Sequence, residues 1–260
     1  QTKKFATQIS DWLEEFHSPF LQLYYHRVQI AWQHQEFEMS GWKQSLLALQ
    51  KLPQQYTFLR SVNLDLEINL EWAKYYRAKN DLPKMYNSLQ ECLKIADYQA
   101  FNRFEVMSYY FDWAMRMLDW EKATDIVLEI YQTAQFENLD PIDRAIWGVK
   151  VLYLHFMLHS QLGEVEADRR LVLFNKKQAF EFLSQKQPIS KDKKGYNLHL
   201  VILRLLFQLA YGQTNSNDGN KMLVYFQRHL KTLEHSRTGI FFKSLAKLAS
   251  SEFATAAVIN

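Results

Sequence analysis

Residues 71–93 read EWAKYYRAKNDLPKMYNSLQECL, two helical patterns separated by one polar break. Before the break, Trp72 and Tyr76 stand four apart; after it, Met85, Leu89 and Leu93 return in steps of four. Such steps put apolar side chains on one face of a helix, because 3.6 residues complete a turn. The break itself, Lys79-Asn80-Asp81 followed by Leu82-Pro83, is turn chemistry, and it predicts Asp81 as the N-cap of the second helix.

The same arrangement recurs on both sides. Ala31-Trp32, Glu71-Trp72 and Asp112-Trp113 stand 40 and 41 residues apart, and Trp42, Leu82 and Trp120 follow the breaks Ser40-Gly41, Lys79-Asn80-Asp81 and Leu118-Asp119. Asp119 reads as a cap like Asp81. Second helices follow through Leu46, Leu49 and Leu52, and through Ala123, Val127 and Ile130. Two looser pairs complete the pattern, 142–161 with 164–183 and 194–211 with 221–233; a last helix, 240–253, has no mate. A helical hairpin cannot hide its apolar stripe alone, so hairpins repeated in tandem are expected to stack. Three segments result: hairpins over 1–184, a basic linker over 185–195 with Lys186, Pro188, Lys191, Lys193 and Lys194, and a continuation over 196–260 that contains the polar loop 212–219.

Composition agrees. The 260 residues are 48% apolar and 15% aromatic with only 7 Gly and 5 Pro, which excludes disorder and argues against a turn-dense β fold. The one cysteine, Cys92, makes no intramolecular disulfide and suits a reducing, cytoplasmic setting, where it is expected to be an inert buried thiol. The longest apolar run, 198–211, is interrupted by His199, Arg204 and Gln208 and is too short for a membrane span. No secretory signal is visible at Gln1, and the apolar end 253–260 reads as a segment cut from a longer polypeptide.

Asp119-Trp120-Glu121-Lys122-Ala123 and Leu162-Gly163-Glu164-Val165-Glu166-Ala167 resemble the turn into the second helix of a tetratricopeptide repeat (TPR), and Trp72-Ala73 with Tyr76 resembles its first helix. The spacing near 40 exceeds the family's 34, Gln33 and Phe156 stand where a small residue is expected, and the closing proline is missing. HEAT or armadillo repeats are the nearest structural competitor. The resemblance implies an all-α, right-handed αα-hairpin superhelix of about five helical pairs plus a terminal helix. It further implies a concave groove lined by first helices, which selects Arg27, His34, Lys74, Arg77 and Lys150. These are mostly cationic and suit a carboxylate or an acidic peptide. The asparagines of the family's carboxylate clamp are not matched.

The chemistry of enzymes is sparse. No Gly-x-Ser-x-Gly elbow, His-Glu-x-x-His helix or dinucleotide fingerprint occurs, and the loop 212–219 fits neither a P-loop nor a calcium loop. His155 and His159, four apart with Glu164 or Asp168 beyond the turn, have metal-clamp spacing. They also occupy the positions of Trp72 and Tyr76, which favours hydrogen-bonded packing residues over a metal site. Glu14-Glu15-Phe16-His17 holds half of a di-iron motif without its second copy. The recurring Trp, and runs such as Tyr24-Tyr25, favour core packing over base stacking. The expectation is a non-catalytic scaffold with no cofactor and no metal, whose partner is a protein or peptide.

Charge offers the alternative. Residues 1–168 hold 16 Lys plus Arg against 23 Asp plus Glu, a net of −7; the remainder holds 15 against 5, a net of +10. A polyanion such as nucleic acid would meet Arg169, Arg170, Lys176, Lys177, Lys191, Lys193 and Lys194. The basic part also includes Arg228, Lys231, Arg237, Lys243 and Lys247.

Overall fold

The computed structural model describes residues 2–96, 101–171, 174–184 and 196–211, with a few further positions up to 247. All regular structure among them is helical: α1 Thr2–Glu15, α2 Pro19–Gln35, α3 Met39–Gln55, α4 Val62–Lys79, α5 Leu82–Ile95, α6 Phe101–Met117, α7 Trp120–Gln132, α8 Pro141–Leu162, α9 Glu164–Arg170, α10 Lys176–Ser184 and α11 Tyr196–Tyr211. Short 3-10 turns cover Thr57–Leu59 and Ala134–Asn138. The chain forms two compact units, 1–119 and 120–260. The linker 185–195 with Lys191, Lys193 and Lys194, the loop 212–219 and the helix expected over 221–233 lie outside the described residues, as does most of 240–253.

In the first unit each helix packs on the next in sequence, and α4 also meets α6. Burial follows from that order. Helix α2, between α1 and α3, buries Leu23, Ile30 and Gln33, whereas α4, covered by α3, α5 and α6, buries seven residues from Leu64 to Tyr75. Trp42, Leu46 and Leu49 of α3 are fully buried against them and join Leu64, Ile68, Trp72 and Tyr75 in one cluster. Each such side chain contributes about 1.5–3 kcal/mol by leaving water. In the second unit α8 packs with α7, α9 and α11, and α10 with α11; α8 buries nine residues, including Trp147, Leu152, Leu154 and His155.

The breaks have a shared backbone solution. After α2, α4 and α6 the chain enters the left-handed region at Phe37 (φ 55°), Asn80 (φ 57°) and Leu118 (φ 59°). Each time, this residue's amide bonds the carbonyl three back, and the next amide bonds the carbonyl five back: Glu38 to Gln33, Asp81 to Tyr76 and Asp119 to Ala114. This double closure is the Schellman motif, which uses otherwise orphaned carbonyls. Asparagine tolerates the conformation, but Phe and Leu do so at a cost. Because Phe37 and Leu118 are largely exposed, their packing contributes little in return. Phe37→Gly and Leu118→Gly are expected to stabilise the unit by about 0.5–1 kcal/mol each, read as a higher urea midpoint at unchanged slope, with Asn80→Gly close to neutral.

Asp81 caps α5 by accepting from the Lys84 amide at 3.3 Å, as its position predicts; Ser18, Ser61 and Asp140 do the same for α2, α4 and α8. Three expectations shift. The Ser40-Gly41 break is part of α3, whose cap is Glu38, accepting from the Gly41 amide at 3.0 Å. A Cβ on Gly41 would lie 1.9 Å from that carboxylate, so the glycine makes room for the cap rather than for a turn. The helix expected over 164–183 is broken into α9 and α10. Asn175 and Gln178 exchange side-chain-to-amide bonds at 2.8 and 3.2 Å, a capping box that starts α10 afresh. Finally, α1 precedes the first hairpin and packs on α2.

Candidate binding surface

Helices α2, α4 and α6 supply the candidate face of the first unit. The cations selected from the sequence occupy it, and each meets acidic groups. Arg27 of α2 reaches Glu67 of α4 through both guanidinium arms, with Nε to Oε1 at 2.7 Å. Lys74 of α4 bonds Glu71 at 2.7 Å and Glu105 of α6 at 3.1 Å; Arg77 bonds Asp112 of α6 at 3.1 Å. Three of these pairs therefore cross from one first helix to the next. The Tyr109 ring lies under both Lys74 and Arg77, at 5.6 and 5.4 Å, and Arg27 lies over Tyr24 at 5.8 Å. The negative face of an aromatic ring attracts such cations.

Electrostatics follow the geometry. Burial pulls the Lys74 ammonium down, but the charge and hydrogen bond of Glu71, aided by Tyr109 and Glu105, carry it above the ordinary lysine range. Partial burial lowers His34, whose ring lies 4.5 Å from that of Trp42; Glu71 opposes the shift, while Lys74 and Arg77 add to it. Burial raises the Tyr109 phenol, against the pull of the two cations above it.

The other selected residues lie in the second unit. Lys150 is half-buried on α8. Arg169 and Arg170 share Glu166 at 3.0 and 2.9 Å, Lys176 bonds Glu164 at 2.9 Å, and the exposed Lys177 approaches Glu181 at 3.9 Å.

His155 has the packing role its repeat position suggested. It is fully buried, with Nε2 3.0 Å from Asp168 Oδ1 and Nδ1 3.5 Å from the Tyr211 hydroxyl, and its ring stacks on Phe207. Asp168 Oδ1 also accepts from the Lys176 amide at 2.9 Å, so one carboxylate ties α8, α9 and α10 together. Burial lowers the His155 pKa although Asp168 opposes the shift. Among the described residues, no group of three or more His, Cys, Asp or Glu side chains is placed to hold a metal ion. Cys92 is buried beneath the Leu66 carbonyl, and burial pushes its thiol up to about 12.

Sequence reasoning missed one surface. Trp12 and Phe16 at the end of α1, with Phe20 and Tyr24 on α2, are each about half exposed around an open recess of about 360 Å³. The four-residue spacing of these aromatics was visible in the sequence, but Ser18-Pro19 divides them between two helices. Tyr24 is thus not a core residue, whereas the recurring Trp72 and Trp113 are packed: Trp72 stacks on Tyr76, and Trp113 stacks on Tyr110 and donates to the Leu82 carbonyl at 3.1 Å.

Among the described residues, no helix is long and apolar enough to cross a membrane. No family model, curated protein or solved structure matches the chain.

Proposed function

We propose that this chain is a non-catalytic protein-binding module. In this reading the hairpins of the first unit form a right-handed, TPR-like array whose first-helix face takes an acidic or carboxylate-bearing peptide. The module would work in a reducing compartment such as the cytoplasm, without a cofactor. The observation that carries it is the row of Arg27, Lys74 and Arg77, held in partly exposed ion pairs beside Tyr24 and Tyr109. The partly exposed pairs Arg27–Glu67 and Arg77–Asp112 are worth little net, about 0–1 kcal/mol, so a partner carboxylate can replace Glu67 or Asp112 at small cost, while Glu71 holds the more buried Lys74 in place. His34, on α2 with Arg27, is a further contact of this face as a neutral imidazole, and Lys150 is proposed as a contact of the second unit by itself.

The test is fluorescence anisotropy with a labelled twelve-residue Asp/Glu-rich peptide bearing a free C-terminus. Micromolar binding that weakens about tenfold, or about 1.4 kcal/mol, in Lys74→Ala/Arg77→Ala supports the reading. Absence of binding, or indifference to the double substitution, removes it.

The basic excess after residue 168 favours one second reading, polyanion binding. A labelled single-stranded RNA whose affinity falls about a thousandfold or more between 50 and 200 mM salt would support that reading instead.

A further inference from the structure

We propose that the recess between α1 and α2 docks an amphipathic helix of a partner protein, one that offers apolar anchors flanked by Lys or Arg. The floor comes first. Trp12, Phe16, Phe20 and Tyr24 are 47%, 55%, 55% and 56% exposed, and Leu21 and Ser18 complete the lining. The apolar surface extends to Phe58, 62% exposed, whose ring lies 5.6 Å from that of Phe20. Contiguous aromatic exposure on this scale marks interaction sites more often than scattered single residues do. The recess is open rather than enclosed, which suits the side chains of a docked helix better than a buried small molecule.

Charge then selects the partner. On α1, Asp11 and Glu15 stand four apart, forming the row next to Trp12 and Phe16. Both are exposed, and among the described residues neither they nor Glu14 beside them has an ion-pair partner. Glu14 and Glu15 also occupy the last turn of α1, which carries no basic residue. The C-terminus of a helix is the negative end of its dipole, so carboxylates there are disfavoured and a cation is wanted. An apolar floor edged by unpaired carboxylates at such a terminus is complementary to a basic amphipathic helix and repels an acidic one.

Tyr24, beside Arg27, is the one lining residue this inference shares with the cationic row; Lys74→Ala/Arg77→Ala tests that row and leaves the recess untouched, so the two fail separately. The probes are a fluorescein-labelled eighteen-residue Leu/Lys amphipathic peptide and its Leu/Glu counterpart, titrated with the full chain. The Leu/Lys peptide should bind at least tenfold more tightly than the Leu/Glu peptide. Phe20→Ser/Tyr24→Ser, at exposed positions that leave the core intact, should weaken it about tenfold. Asp11→Asn/Glu15→Gln should weaken it about threefold and reduce its salt dependence, whereas Lys74→Ala/Arg77→Ala should leave it unchanged. Equal binding of both peptides, no binding of the Leu/Lys peptide, or indifference to Phe20→Ser/Tyr24→Ser would overturn the proposal. So would a sedimenting dimer that Phe20→Ser/Tyr24→Ser dissociates and the Leu/Lys peptide does not, because the occupant would then be a second copy.

Discussion

Trp42→Ala is expected to cost about 3–5 kcal/mol, the range for truncating a fully buried aromatic residue to alanine. Trp42 is 0% exposed; its ring faces His34 of α2 on one side and meets Tyr75 of α4 edge-on, with centroids 4.5 and 5.6 Å away. It therefore joins three helices, and its removal leaves a cavity that no single helix can close without leaving another. A domain stable by about 5–15 kcal/mol would lose a large part of its margin. Urea unfolding followed by circular dichroism reads the effect. Trp12→Ala, at a half-exposed ring, should cost less than about 1 kcal/mol in the same assay. Similar losses from both substitutions would show that burial does not set the contribution of tryptophan here.

Asp168→Ala is expected to cost about 2–4 kcal/mol in the second unit. It strips Nε2 of the fully buried His155 of its partner and leaves the ring only the 3.5 Å contact of Nδ1 with Tyr211, at about 1–3 kcal/mol, and it removes an acceptor from the first turn of α10, at about 1 kcal/mol. The pair also makes stability depend on pH. Burial depresses the folded pKa of His155 below the ordinary 6.5, so below that pH the unfolded chain takes up a proton that the folded chain refuses. Stability is fully present above about pH 6.5 and declines as pH falls toward the folded pKa, by at most about 1.4 kcal/mol per pH unit from this group. Asp168 and Glu164 favour the protonated ring and His159 opposes it, so the slope reports their balance. His155→Gln should flatten that part of the curve. A curve unchanged by His155→Gln would remove the histidine from the account.

The recurrence of tryptophan near a 40-residue period made the hairpins α2–α3 and α4–α5 legible, because packing between repeated elements imposes one large residue at one helix position. Asp81 was legible as a cap for an equally local reason. The failures involve interactions that the local pattern does not encode. A helix period carries across Leu171 and Phe174, so the break between α9 and α10 was invisible except through Asn175 and Gln178. Arg27, Lys74 and Arg77 were singled out as positions on first helices, yet the carboxylates they meet come from Glu67, Glu105 and Asp112, 40, 31 and 35 residues away, which no local pattern announces. Hairpin turns built on Phe37, Asn80 and Leu118 share a backbone and no residue type, so no letter announces them. The aromatic recess escaped because apolar spacing was read as core, whereas the end helix of a stack has a face that no neighbour covers.

The unequal coverage of α1 and α4 also gives the first unit a sequence of opening. The outer helix α1, which packs on α2 and buries Ile9 alone among its described residues, can detach by forfeiting few contacts, whereas α4, with seven buried residues, separates only when its neighbours on both sides have gone. Amide protons should accordingly exchange soonest at the margin and last at the centre, the graded protection of a cooperative unit that frays from its end. A surface at the fraying margin can adjust its shape to what it receives while the middle of the stack holds its register.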